Sequence, residues 1–186
     1  GNCVFYCPYD AAKLESPKSV SFDLTACHGC GLCVAMCPAI ALDLENWEKD
    51  RISALLSKLV SEMQSPKVLV FRCQWAVFPS LNGQYSPHIR YIDLPCASRV
   101  DKFHILEAFQ KGVDGVLIAA CSEEDCKQEG ASGKAQHSVE VLKKMLGQLG
   151  LQDRLHFCTV APRYPEQFKK ELEQFTFTLQ QKSAFI

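Results

Sequence analysis

The chain has almost no net charge: 20 Lys and Arg against 21 Asp and Glu leave −1 at pH 7 over 186 residues. A surface for nucleic acid needs a basic excess, so no nucleic-acid partner is expected, and no polybasic stretch is present to hold an anionic membrane. No apolar run approaches the ~18 residues needed to cross a bilayer, and the residues present contain no signal-peptide pattern. Also missing are G-x-G-x-x-G and G-x-x-x-x-G-K-[ST], the two common nucleotide-binding signatures. No general acid and base stand out beside a pocket for an organic substrate. What remains is a chain of ordinary composition, 47% hydrophobic and 22% charged, with one anomaly, 11 cysteines. A secreted disulfide scaffold would be short, loop-rich and poor in long helices, unlike the longer C-terminal part of this sequence. The expectation is a reducing, cytoplasmic setting in which thiolates serve metal, with no direct membrane insertion and membrane association only through partner subunits.

The cysteines are ordered. Cys27-His28-Gly29-Cys30-Gly31-Leu32-Cys33-Val34-Ala35-Met36-Cys37-Pro38 has the spacing C-x2-C-x2-C-x3-C-P, the bacterial ferredoxin run for a [4Fe–4S] cluster. Cys27, Cys30 and Cys33 can turn inward around one face of a cubane, with Gly29 and Gly31 relieving the backbone. In two-cluster ferredoxins the fourth cysteine ligates the other cluster. The run therefore predicts a second half-motif, and Cys3-Val4-Phe5-Tyr6-Cys7-Pro8 supplies its third and fourth cysteines. By the crossed-ligand rule, Cys7 completes the cluster of Cys27, Cys30 and Cys33, while Cys3 and Cys37 are two ligands of a second [4Fe–4S] cluster, incomplete in this chain. That second cluster is expected to be absent, displaced or completed by another polypeptide, and the sequence is expected to be a C-terminal piece of something longer. Zinc lacks its usual pair-and-pair spacing here, and a core of inert thiols would not produce so specific a pattern.

Residues 1–45 thus read as an α+β ferredoxin-like iron–sulfur domain, each motif leading into a short helix and a short strand, with Val20–Asp23 alternating between them. So small a core needs its clusters as staples. Residues 46–66 read as a linker helix, with Trp47, Ile52, Leu55, Leu56, Leu59, Val60 and Met63 at helical spacing and Ser65-Pro66 as the stop. Its blander reading is a helix packed on the nearest domain. From 67 to 186 short apolar runs alternate with helices: strands at Lys67–Phe71, Ile89–Leu94, Asp114–Ala120 and Leu155–Val160, and helices at 101–111, 134–149 and 165–180. Asp101 caps the first of these helices and Gly112 ends it, Gly150 ends the second, and Pro165 opens the third. This is the pattern of an α/β domain with a four-stranded parallel sheet, flavodoxin- or Rossmann-like but without a nucleotide motif.

Cys73, Cys96 and Cys121 each follow a predicted strand, and Cys126 comes five residues after Cys121. Ligands in open parallel sheets gather outside the carboxyl ends of the strands, so these thiols can converge on one point. Four thiolates suit [2Fe–2S], [4Fe–4S] or structural zinc, and spacing alone does not choose among them or exclude burial as small hydrophobes. Cys158 lies inside the fourth strand and reads as core.

Phe71-Arg72-Cys73-Gln74-Trp75, Pro95-Cys96-Ala97-Ser98-Arg99-Val100-Asp101, and Gly115–Cys121 with Asp125-Cys126 resemble the delta subunit of methyl-viologen-reducing hydrogenase, from about Pro66 to Phe175. The resemblance implies a [2Fe–2S] cluster on Cys73, Cys96, Cys121 and Cys126 and an electron-relaying role. Ala76 departs from it, since the family commonly has a second cysteine after Trp. Such a domain behind ferredoxin motifs resembles the C-terminal part of the large flavoprotein subunit of heterodisulfide reductase and the B subunit of the quinone-interacting membrane-bound oxidoreductase. In both, the resemblance implies an FAD domain preceding residue 1 or in a partner, and other redox subunits as partners.

The function read from all this is an electron-transfer module, part of an oxidoreductase complex of anaerobic metabolism rather than a complete catalyst. Two alternatives stand beside it: a cluster-fed reductase using a Cys121–Cys126 disulfide, and a zinc-stabilised docking domain. The reductase requires a low-pKa thiol near positive charge, which the acidic Ser122-Glu123-Glu124-Asp125 loop opposes. His28 is read as exposed or as an N–H donor to sulfur, Arg72 and Arg99 as solvated or as charges that raise a cluster's potential, and His104 and His137 as surface positions.

Overall fold

A computed structural model describes residues 1–76 and 86–183, so the expected domain at 67–186 reaches beyond the described residues at 77–85 and 184–186. β3 (Val68–Cys73) and β5 (Gly115–Cys121) are buried at every position, as continuous apolar runs without polar alternation require. They form the centre of a four-stranded parallel sheet ordered β4-β3-β5-β6, with β4 (Ile89–Leu94) and β6 (Leu155–Val160) at its edges. The register pairs Cys73 with Leu94 and Cys121 with Val160, which brings the carboxyl ends of all the strands to one side.

The crossovers carry α4 (Lys102–Gln110), between β4 and β5, and α5 (Ala131–Gly147), between β5 and β6. Both expected caps of α4 are present: Asp101 accepts from the His104 N–H at 3.0 Å, and Gly112 follows at φ 84°. Helix α5 starts three residues before the expected Lys134, with Gly130 at φ 61° as its N-cap. Helix α6 (Pro165–Ser183) opens on its proline and lies across β5 and β6, close enough that a Cβ on Gly115 would meet Leu179 and Phe175.

Helix α3 (Lys49–Ser61) begins after Trp47, not at it. Ile52, Leu56, Val60 and the following Met63 join the same core as the sheet, while Leu55 is 39% exposed, so the buried stripe is narrower than the apolar pattern. Trp47 instead closes a turn, its N–H donating to the Leu44 carbonyl at 2.9 Å.

In the N-terminal segment the order of elements differs from expectation. The short helices carry the cysteines and do not follow them: α1 (Asn2–Tyr6) contains Cys3 and ends on Cys7, and α2 (Leu32–Ala35) contains Cys33. The two halves match: the N–H of Cys7 donates to Val4 and that of Cys37 to Val34, both at 3.3 Å. The antiparallel hairpin β1 (Ala12–Ser16) and β2 (Ser19–Phe22) lies between them. No strand follows Ala39–Leu42, because Ile40 turns at φ 53° and the carbonyls of Ile40 and Leu42 accept from the buried Lys49 ammonium instead of a neighbouring strand.

Candidate metal centres

The strand ends do what the topology requires. Cys73 closes β3, Cys121 closes β5, Cys96 lies just past β4, and Cys126 follows a short 3-10 turn at Glu123–Asp125. All four line one small pocket together with Trp75, Ala97 and Ser132. Cys73 Sγ stands 3.5 Å from Cys121 Sγ, and Cys126 Sγ donates to the Gln128 carbonyl at 2.9 Å. Ser132, on the first turn of α5, donates to the Cys121 carbonyl at 2.5 Å and ties the strand end to the helix. Ala76 is buried.

The crowding of these thiols decides their acidity. Hydrogen bonding with Cys121, then burial, pushes Cys73 up to about 11; the neighbouring Cys73 thiol, then burial, raises Cys96. Sulfurs this close ionise together only around positive charge, and a coordinating metal deprotonates a thiol outright. The donor set therefore fits a thiolate-bound metal group. Among the described residues, no three or more His, Cys, Asp or Glu side chains are arranged so that they could hold a metal ion; the four thiols share a pocket without meeting at one point.

In the N-terminal segment, Gly29 and Gly31 take φ of 64° and 76°, left-handed turns on either side of Cys30, which is buried while Cys33 is half-buried and Cys27 exposed. Burial raises the Cys30 thiol, and negative charge on Cys96, Cys7 and Cys27 raises it further. Burial pushes Cys33 up to about 11, with Cys30, Cys27 and Cys7 adding to it. Cys7 is thus close enough to act on the thiols of Cys30 and Cys33. Cys3 and Cys37 are half-buried.

The two thiol sets share a wall. Cys30 and Cys96 belong to one small buried cluster with Leu32 and Ala131, against which Tyr6, Met36 and Cys126 pack. Ser98, 2% exposed, places its Oγ 3.1 Å from the Cys30 carbonyl oxygen and 3.2 Å from Cys96 Sγ. A second clasp lies nearby: Tyr9 stacks on exposed His28 at 3.8 Å, donates to Gln128 Oε1 at 2.7 Å, and accepts from the Glu129 N–H at 3.0 Å. His28 therefore serves as a stacking surface. Nothing in the local sequence marks Ser98, Tyr9 or Gln128, whose partners are remote in the chain.

Several charged residues are not where the sequence suggested. Arg99 is fully buried, donating to the Trp47 carbonyl at 2.8 and 3.2 Å and pairing with Asp101 at 3.4 Å. Arg72 is buried too, forked onto Asp93 at 2.7 and 2.9 Å and lying over the Tyr91 ring. His104 is 1% exposed, not a surface residue, and is held by Asp101 and the Lys49 carbonyl. His137 is exposed on α5, a surface position as expected, and Cys158 is buried in β6, its thiol pushed up to about 12 by burial and by the Glu171 charge. The acidic loop after Cys121 folds on itself: Ser122 donates to Asp125 at 2.8 Å, and Arg163 meets the same carboxylate at 3.0 Å.

The chain matches two known protein families. Residues 1–52 match the 4Fe-4S dicluster domain, which sets the chain among iron–sulfur proteins. Residues 68–181 match the methyl-viologen-reducing hydrogenase delta subunit, and the chain belongs to that family. It is 30% identical over 207 residues to the ferredoxin:CoB-CoM heterodisulfide reductase A subunit of Methanosarcina mazei, an alignment covering 91% of this chain and 26% of that protein. It is 34% identical over 99 residues to the F420-non-reducing hydrogenase vhc iron-sulfur D subunit of Methanococcus voltae, covering 50% of this chain and 69% of that one. Against the F420-non-reducing hydrogenase iron-sulfur D subunit of Archaeoglobus profundus it is 26% identical over 133 residues, 68% of this chain and 97% of that one. The chain thus spans about a quarter of the heterodisulfide reductase A subunits it matches. Among the described residues, no helix is long and apolar enough to cross a membrane.

Proposed function

We propose that the chain is an electron-transfer module of a hydrogenase- or heterodisulfide-reductase-like complex, passing single electrons between two iron–sulfur sites. In this reading Cys7, Cys27, Cys30 and Cys33 hold a [4Fe–4S] cluster, and Cys73, Cys96, Cys121 and Cys126 hold a [2Fe–2S] cluster. Cys3 and Cys37 are half of a second [4Fe–4S] site in a ferredoxin-like fold, completed by cysteines of another polypeptide segment. When bound, such clusters supply reversible one-electron chemistry, with potentials tuned by hydrogen bonds to sulfur and by solvent exposure. The protein's own part is to bind, to orient and to exclude water. Cys30, Cys73, Cys96 and Cys121 are all buried, and residues from both sets pack against each other. That shared wall carries the reading, because electron transfer between sites needs a short dry path and no substrate pocket. Flavin and the remaining redox subunits belong to partners or a preceding segment, the setting is cytoplasmic, and a quinone-linked complex is the variant assembly.

The disulfide-reductase alternative has less behind it. Cys121 Sγ already contacts Cys73, Cys126 Sγ is engaged by the Gln128 carbonyl, and the loop between them is acidic. One experiment separates the readings. The full chain, produced anaerobically with iron in excess, should hold about six irons if both complete sites are filled, with two distinguishable paramagnetic signals on reduction. Zinc in place of the second signal would favour the docking domain, and a titratable Cys121–Cys126 disulfide would favour the reductase.

A further inference from the structure

Ser98 occupies an unusual position. Its hydroxyl has one proton to donate, yet two acceptors of different kinds lie within reach: the backbone carbonyl of Cys30 at 3.1 Å and Cys96 Sγ at 3.2 Å. One belongs to the N-terminal thiol set and the other to the sheet-end set. Ser98 is 2% exposed, so water does not compete for the proton. The surroundings hold the geometry. Ser98 sits in the short 3-10 turn Ala97–Arg99, whose next residue, Arg99, is fully buried and bonded to the Trp47 carbonyl. The Tyr9–Gln128 clasp closes the same junction from another side.

We propose that Ser98 is a potential-setting residue that links the two thiol sets, its hydroxyl proton turning toward Cys96 Sγ when that sulfur carries more negative charge and toward the Cys30 carbonyl when it carries less. This rests on the reading of both sets as cluster ligands. The arriving electron adds negative charge on the Cys96 side and removes it from its donor. No bond to hydrogen is broken, since the proton stays on Oγ and only its direction changes. A donor to a ligand sulfur stabilises the reduced state, so Ser98 raises the potential on the Cys96 side. In doing so it releases the Cys30 carbonyl, which the N-terminal site then senses. A serine with a merely structural role would fill the same space without this dependence.

The test uses the full chain loaded anaerobically with iron and sulfide, and compares wild type, S98A and S98T by paramagnetic-resonance redox titration and iron analysis. S98A should keep its iron and lower the midpoint of the Cys96-side signal by a factor of roughly ten in the reduction equilibrium, about 59 mV for a one-electron couple. S98T, which keeps the hydroxyl, should stay within roughly twofold of wild type, about 18 mV on the same scale. Vibrational spectra should show a cysteinyl iron–sulfur stretch moving to higher frequency in S98A only. Full iron content with an unshifted S98A midpoint would overturn the proposal, as would loss of iron from S98A, which would make Ser98 an assembly residue. Should S98A give no soluble protein, S98G makes the same deletion and is read the same way. A wild-type chain without iron on the sheet-end cysteines would overturn the underlying reading as well, and that result appears before any substitution is made.

Discussion

Gly31 lies flat against Arg99: a Cβ on Gly31 would stand 2.6 Å from Arg99 Cδ and 3.0 Å from its Cβ. Gly31 also sits at φ 76°, in the left-handed region, so two requirements meet at one position. The cysteine loop and the α/β domain touch here through backbone on one side and a buried arginine stem on the other. Gly31→Ala should cost roughly 1–3 kcal/mol, from backbone strain and the displaced arginine together. Thermal unfolding should show a lowered midpoint, with the N-terminal iron signal weakened before the sheet-end signal. An unchanged midpoint would mean that the loop is free to move off Arg99.

The Asp101 carboxyl sets an acid limit on the α3–α4 junction. Burial would raise it, but hydrogen bonds and charge from His104, with the Arg99 charge, outweigh burial and hold it below its usual range. A carboxylate depressed in the folded state contributes stability that is present above its unfolded pKa of about 3.9 and is lost as pH falls through the lower folded value. Urea midpoints of the metal-free chain should therefore fall on acidification below about pH 4. D101N should start lower and fall less over the same interval. Equal slopes for the two proteins would remove Asp101 from the account.

The eleven cysteines should divide by function. Cys158 is buried in β6 away from both thiol sets, so Cys158→Ala should leave iron content unchanged at a stability cost on the order of 1 kcal/mol. Cys30→Ala should remove the N-terminal cluster, and Cys96→Ser or Cys121→Ser the sheet-end signal, each visible by iron analysis and paramagnetic resonance. Iron lost from the Cys158→Ala protein would show that β6 contributes to a site.

Adjacent leucines in α3 should respond differently. Leu56 is fully buried in the sheet's core and Leu55 is 39% exposed. Leu56→Ala should cost about 2–5 kcal/mol and Leu55→Ala less than about 1 kcal/mol. Denaturant titration of the two variants gives the comparison, and similar losses would show that α3 buries both faces.

The sheet was readable from the sequence because β3 and β5 are short apolar runs with no helical spacing, and their alternation with helices allows few topologies. That Cys73, Cys96, Cys121 and Cys126 lie at one end of the sheet and line one pocket followed from the same topology, although their sulfurs do not meet at one point. The junction could not be read in that way. Ser98 and Cys30 are 68 residues apart and Tyr9 and Gln128 are 119 apart, and no local periodicity encodes such pairings. The buried state of Arg99 and His104 was equally hidden. Both look like surface residues until Asp101, Trp47 and Lys49 supply partners that make burial tolerable. The N-terminal helices were misplaced for a smaller reason: the three residues between paired cysteines already make one turn, and Pro8 and Pro38 then end it.

The clasp of Tyr9 onto Gln128 and Glu129 also sets an order of manufacture. A ribosome delivers Cys27, Cys30 and Cys33 long before residues 96–132, the stretch that forms the other side of the junction, have been made. During that interval the cysteine loop lies open to whatever loads it. Once Ser98, Ala131 and Gln128 arrive, the loop is sealed from that side. After release only the side of the loop that carries the exposed Cys27 faces solvent, so iron reaches the finished chain from that edge, whereas on the growing chain it meets the loop from every side.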